Sequence, residues 1–256
     1  MRAAIDAGLV ATVVTFDPHP RTVLGNRVEL LSTLERRLEL LEAFGVEETL
    51  VVEFTTEIAQ LEPEQFAREY LLGIGAKVVV AGRGFRFGRR RAGDLDLLRG
   101  LGIDARDVPI VAGVSSTQIR QLAHEGEVEA AAQLLGRPLE VDGMVVTGDQ
   151  RGGTLGFPTA NLQVAADLLV PGFGIYAGAV GDRRAAISIG VNPHYGGTER
   201  RVEAYLLDWT GDLYGERIVL ELWQRLRDER AFGDEAELVA QIARDVQETR
   251  AAVSPV

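Results

Sequence analysis

Gly152 to Leu162, GGTLGFPTANL, sets a hydroxyl and an amide two residues apart behind a glycine-rich approach. If Pro158 to Leu162 is extended, the two-residue side-chain period turns Thr159 and Asn161 to one side and Ala160 to the other. Pro158 fixes a backbone dihedral just ahead of the pair. Thr159 offers Mg²⁺ a hard oxygen and Asn161 offers donor and acceptor groups together, a combination suited to a metal-bound triphosphate. Gly148, Gly152 and Gly156 permit close backbone approach or positive dihedrals around a phosphate. The same residues also read as a Gly-Pro loop entering an ordinary strand.

Several chemistries are closed to this chain. It has no cysteine, so disulfides, thiolate metal sites and cysteine nucleophiles are impossible, and its composition is compatible with cytosol. Lysine occurs only at Lys77 and the spacing GxxxxGK[ST] is absent, so this is not an ordinary P-loop enzyme. Phosphate contacts in the second half must come from Arg, backbone amides or metal. The three histidines, His19, His124 and His194, have no zinc-site spacing. Formal charge is −11 and both halves are acidic, which disfavours a nucleic-acid partner. The one dense basic run is Arg89 to Arg91, with Arg83 and Arg86 before it, a solvated turn or a phosphate-contacting loop. No apolar span of membrane length and no basic-then-apolar leader is seen, so a cytoplasmic protein without a membrane partner is expected.

Two rhythms position these residues. Up to about Leu135, apolar strand-like runs (Leu9 to Phe16, Thr49 to Phe54, Lys77 to Ala81) alternate with helical patterns (Thr33 to Phe44, Pro63 to Leu72, and Ser116 to Leu135 broken near Gly126). That alternation predicts a parallel α/β sheet with its chemistry at strand ends, where TFDPHP (15 to 20) and GRGFRFG (82 to 88) fall. From Val141 onward, short β-rich runs at 141 to 146, 175 to 180, 185 to 191, 202 to 209 and 218 to 223 are punctuated by Gly and Pro, predicting an antiparallel sheet or small barrel. The expected domains are residues 1–135 and 136–256. A terminal helix is expected after Asp234, capped by it and by Glu237, with Leu238, Ile242 and Val246 as an apolar docking stripe.

Seven motifs in order carry a resemblance: TFDPHP, AGRGFRFGRRRAGD (81 to 94), SSTQIR (115 to 120), LGFPTANL (155 to 162), PGFGIYAG (171 to 178), SIGVNPHYGG (188 to 197) and VEAYLLDWTGDLYG (202 to 215). Together they resemble the bifunctional bacterial riboflavin kinase and FMN adenylyltransferase family, also called FAD synthetase, along nearly the whole chain. The resemblance implies a Rossmann-like nucleotidyltransferase module followed by a small β-barrel riboflavin kinase module with a C-terminal helix. It implies an enzyme taking ATP and riboflavin as substrates, with Mg²⁺ as cofactor and FMN as product, and small-molecule nucleotide and flavin as its partners.

By motif, Thr159 resembles the threonine that contacts Mg²⁺ and phosphate, Asn161 its companion and Glu203 the catalytic base; a lone Glu at a strand start is otherwise an ordinary surface residue. Family members often carry a basic residue where Gly153 stands, a contact Arg151 would replace. Asn192, Pro193, His194 and Tyr195 would shape a substrate-side loop. Ser116, Thr117 and Arg120 match the family's later nucleotide-binding motif at a helix start, where N-terminal amides and Arg120 can meet phosphate; the same hydroxyls can simply cap a helix. The family's first strand, its FDG turn and its HxGH-like motif have no match here, so the first module is expected to be N-terminally incomplete or degenerate, lacking a strand of its parallel sheet. Riboflavin phosphorylation is therefore the leading expectation. Full bifunctionality and a non-catalytic flavin-binding protein are the alternatives.

Overall fold

The computed structural model describes residues 1–148, 155–191 and 200–256. They form two compact units, one of Met1–Val28 with Leu34–Gly113, the other of Glu29–Thr33 with Val114–Val256.

In the second unit, alternation along each strand decides which side chains turn inward. Of the ten strands among the described residues, the last six belong here: β5 (Leu139–Val146), β6 (Ala160–Val164), β7 (Gly174–Val180), β8 (Arg183–Val191), β9 (Arg200–Leu206) and β10 (Arg217–Arg227). They close an antiparallel barrel in the order β10-β5-β6-β9-β8-β7. Ala185, Ile187 and Ile189 of β8, Val202, Ala204 and Leu206 of β9, and Ile218, Leu220 and Leu222 of β10 fill one core. A fully buried Ile or Leu contributes about 1.5–3 kcal/mol relative to exposure, so this parity fixes which residues face outward. β10 pairs with β5 through its first half and with β7 through its second, and register shifts beyond Leu222 let the long strand bend to close the barrel.

The helices Ser116–Glu125 and Val128–Leu135, placed by sequence rhythm in the first half, pack with this barrel, whose core includes Ala123 and Val128. So does a strap from far upstream. Leu30 forms a parallel bridge to Leu168, accepting from Leu169 N at 2.8 Å and donating to the Asp167 carbonyl at 2.6 Å. Thr33 Oγ1 donates to buried Asp142 at 2.6 Å.

The C-terminal helix Glu235–Ala251 starts as expected: Asp234 accepts from Glu237 N at 2.8 Å. The Glu237 carboxylate reaches back one residue further, to Gly233 N at 3.1 Å. Its docking face differs from the expected apolar stripe. Val246 is buried, but Leu238 and Ile242 are only partly so, and the other deeply buried residues are Gln241, Asp245 and Thr249. The reason lies on β10, where Arg227 forks onto Asp245 (2.7 Å) and Gln241 donates to the same carboxylate (2.8 Å), satisfying charges that would otherwise be costly to bury.

The first unit contains β1 (Thr12–Asp17) parallel to β2 (Glu48–Glu53), and β3 (Val78–Gly82) parallel to β4 (Asp104–Val108). These are two separate two-stranded sheets rather than the single sheet expected. Every residue of β1 is only partly buried, whereas parallel strands are normally covered on both faces. Phe66 gathers the core, with ring centroids 5.9 Å from Phe87, 5.0 Å from Tyr70 and 6.3 Å from Phe16. Gly88, at the end of the GRGFRFG turn, and Gly93 beyond it lie so close to Pro63 that a Cβ on either would collide with its ring.

Candidate active site

β6 brings the PTAN residues to the barrel's outer wall. Ala160 and Leu162 pack into the core, so Thr159 and Asn161 face the other way. On β9, inward Val202 and Ala204 leave Arg201, Glu203 and Tyr205 outward by the same parity. The strand registers then align a row: Asn161 lies opposite Glu203, and Glu203 opposite Ser188 of β8. Glu203 is held at both oxygens. Thr159 Oγ1 stands 3.5 Å from Oε2, the long limit of a hydrogen bond, and Arg201 Nη1 donates to Oε1 at 3.1 Å. Phe157 meets the Tyr205 ring edge-on at 5.4 Å and forms an aromatic wall beside the row.

Asn161 is 9% exposed, and its amide lies on Gly148. A Cβ at Gly148 would stand 2.6 Å from Asn161 Oδ1 and closer still to Cγ and Nδ2. The missing side chain at Gly148 therefore makes room for Asn161 rather than for a phosphate. Gly156 has φ +85° with open space where a Cβ would be, a turn conformation that favours glycine. Arg151, Gly152 and Gly153 lie outside the described residues, as do Asn192, Pro193, His194 and Tyr195.

Ser116, Thr117 and Arg120 form a second group on their helix. Ser115 is the cap, accepting from Gln118 N at 3.2 Å, while Ser116 and Thr117 are exposed on the first turn. Arg120 Nε donates to the Glu29 carbonyl at 2.6 Å, and His124 Nε2 lies 2.7 Å from the Glu29 carboxylate, so both side chains engage the strap.

One neighbour of the row was not anticipated from sequence. Gly190 lies opposite Arg201, and the space a side chain would take there holds the carboxylate of Glu229: a Cβ would stand 2.6 Å from Oε2 and nearer to Oε1. Burial, the largest influence, raises the Glu229 carboxyl pKa above its usual range; Arg227 opposes this and Glu203 adds to it. The residue as a whole is exposed, so only its carboxyl end is enclosed.

Glu203 and Thr159 bring a carboxylate and a hydroxyl within 3.5 Å of each other, with Asn161 on the strand position opposite Glu203. Among the described residues no group of three His, Asp or Glu side chains could hold a metal ion alone. Mg²⁺ accompanying a nucleotide needs only one or two protein oxygens, the rest coming from phosphates and water, so this donor set fits it.

The riboflavin kinase family model matches residues 135–253 and the FAD synthetase model residues 1–120. A bifunctional riboflavin kinase/FMN adenylyltransferase from Listeria monocytogenes is 38% identical over 95% of this chain and 82% of its own length. The Bacillus subtilis protein of the same name is 36% identical over 96% and 83%. A solved structure described as a macrolide-efflux protein from Streptococcus pneumoniae has a TM-score of 0.85 at 33% identity, covering 97% of this chain and 86% of that one. No helix among the described residues is long and apolar enough to cross a membrane. Both family models are met in order, and relatives match at this identity over most of their length, so the chain belongs to the bifunctional riboflavin kinase/FMN adenylyltransferase family.

Proposed function

We propose that the barrel, within residues 136–256, transfers the γ-phosphoryl group of ATP to riboflavin, giving FMN and ADP. The row Asn161–Glu203, with Thr159 3.5 Å from the carboxylate, carries this reading. The terminal ribityl hydroxyl attacks the γ-phosphorus, the bond to the β–γ bridging oxygen breaks, and the hydroxyl proton passes to Glu203. Arg201 orients the carboxylate through its other oxygen. Asn161 orders the nucleotide side, and Gly148 holds the Asn161 amide in place. Thr159 Oγ1 and Asn161 Oδ1 are the oxygens that would hold Mg²⁺, which when bound offsets the phosphate charge. Arg151, Gly152 and Gly156 are assigned to the phosphates by their place in the motif. The cysteine-free composition suits a reducing compartment, and we assign the reaction to the cytoplasm with small-molecule partners.

Product chromatography of purified protein with riboflavin, ATP and Mg²⁺ tests this: FMN and ADP form together and EDTA stops both. Flavin binding without FMN would favour a non-catalytic binding protein, and turnover untouched by exhaustive EDTA would remove the metal. The FAD synthetase match over residues 1–120 supports a second reading, adenylylation of FMN to FAD, with Ser116, Thr117 and Arg120 on the nucleotide. FAD formation from FMN and ATP tests that reading separately.

A further inference from the structure

We infer that Glu229 is a second binding residue for the phosphoryl acceptor, a carboxylate that receives hydrogen bonds from the acceptor's hydroxyl chain; this rests on the kinase reading above. On the outer face of β8 the successive positions are Ser188 and Gly190, set opposite Glu203 and Arg201 of β9. Position 190 has no side chain of its own, and the segment after β10 supplies one: the Glu229 carboxylate occupies the space a residue there would fill. Opposed Cβ positions in an antiparallel pair are about 4.5–5.5 Å apart and diagonal ones about 7–8 Å, so this borrowed carboxylate stands one diagonal step from Glu203.

Such a placement opposes itself electrostatically. Two carboxylates on neighbouring positions repel, as the effect of Glu203 on Glu229 reflects. Arg227 is the cation that acts on Glu229, while Arg201, opposite Gly190, is engaged with Glu203. Among the described residues no donor is hydrogen-bonded to the Glu229 carboxylate, which is a pure acceptor. A phosphate placed here would add a third anion. A neutral polyol supplies what is missing, hydroxyl donors for Glu229, with the Ser188 hydroxyl position between the two carboxylates along the face. The geometry thus sorts the site's ligands: phosphates toward Thr159 and Asn161, hydroxyl chain along Glu203, Ser188 and Glu229.

Flavin fluorescence quenching on the full chain separates the ring from its tail. Lumiflavin carries the riboflavin ring with a methyl group in place of the ribityl chain. For Glu229→Ala, riboflavin affinity is expected to fall about tenfold, the loss of one charge-assisted hydrogen bond, while lumiflavin affinity and KM for ATP stay unchanged. Glu229→Gln, which keeps shape and one acceptor oxygen, falls between. Unchanged riboflavin affinity in both variants, or an equal loss for lumiflavin, overturns the inference while FMN formation by the unsubstituted protein leaves the kinase reading standing. If the unsubstituted protein neither binds riboflavin nor makes FMN, both fail together.

Discussion

Gly148→Ala isolates the contact that seats Asn161. Gly148 does not have the positive φ that would exclude alanine, so the backbone tolerates the change and its penalty is steric. The new Cβ would stand 2.6 Å from Asn161 Oδ1 and nearer to two other amide atoms, where ordinary contact begins at 3.4 Å. The amide must therefore shift by about 1 Å, and displacements of that size in a positioned site cost about 10²-fold in rate. We expect kcat/KM for FMN formation to fall about 10²-fold, equivalent to about 2.7 kcal/mol of transition-state stabilisation. Overpacking should also lower stability by about 1–3 kcal/mol, so urea unfolding is measured alongside steady-state kinetics. A double-mutant cycle with Asn161→Ala identifies the route: once the amide is gone, adding Gly148→Ala should cost little further activity. Activity within about threefold of the unsubstituted protein, or losses that simply add in the cycle, would refute the assignment.

Glu203→Gln keeps size and removes basicity, so FMN formation should drop by roughly 10²-fold with ATP binding little changed; near-normal turnover when chemistry limits the rate rejects Glu203 as base. Thr159→Ala should weaken Mg²⁺-dependent ATP binding as well as turnover, measured by calorimetry with and without the metal. Asp245→Ala leaves Arg227 uncompensated against the C-terminal helix and should destabilise the protein by about 3–5 kcal/mol in chemical unfolding; Asp245→Asn, which keeps the hydrogen bonds' acceptor, should cost less. Little FAD is expected from FMN and ATP, because Arg120 of the SSTQIR motif already donates to the Glu29 carbonyl, and limited proteolysis should open the half-covered strands of the first unit before the barrel. Robust FAD formation, or a first unit as resistant as the second, contradicts these two expectations.

The barrel was legible because its inward residues alternate in sequence: Ala185, Ile187 and Ile189 mark β8 before any contact is known. The facing of Thr159 and Asn161 followed from the same parity. β4 was not legible, since Asp-Ala-Arg-Asp-Val presents a single buried residue, Ala105, in a charged run. The apolar stripe expected on the last helix gave way to Gln241 and Asp245 because Arg227, the partner of Asp245, lies 18 residues away on a strand and Gln241 donates to the same carboxylate. Glu203 could be singled out only by motif; its register with Asn161 and Ser188 depends on pairings between distant strands. Glu229 left a weaker signal still. Its cue is an absent side chain at Gly190, 39 positions earlier in the sequence.

The strap Glu29–Thr33 carries a consequence for how this protein is made and divided. During synthesis it leaves the ribosome before any barrel strand exists, and its bridge from Leu30 must wait for Leu168. Buried Asp142 likewise holds Arg217 and the much earlier Thr33, so the barrel is finished by a residue translated long before its own strands. A recombination event between residues 113 and 114 would hand that cover to the other product. The two family models follow one another along the chain, but the two folded bodies cannot be cut from it at a single point.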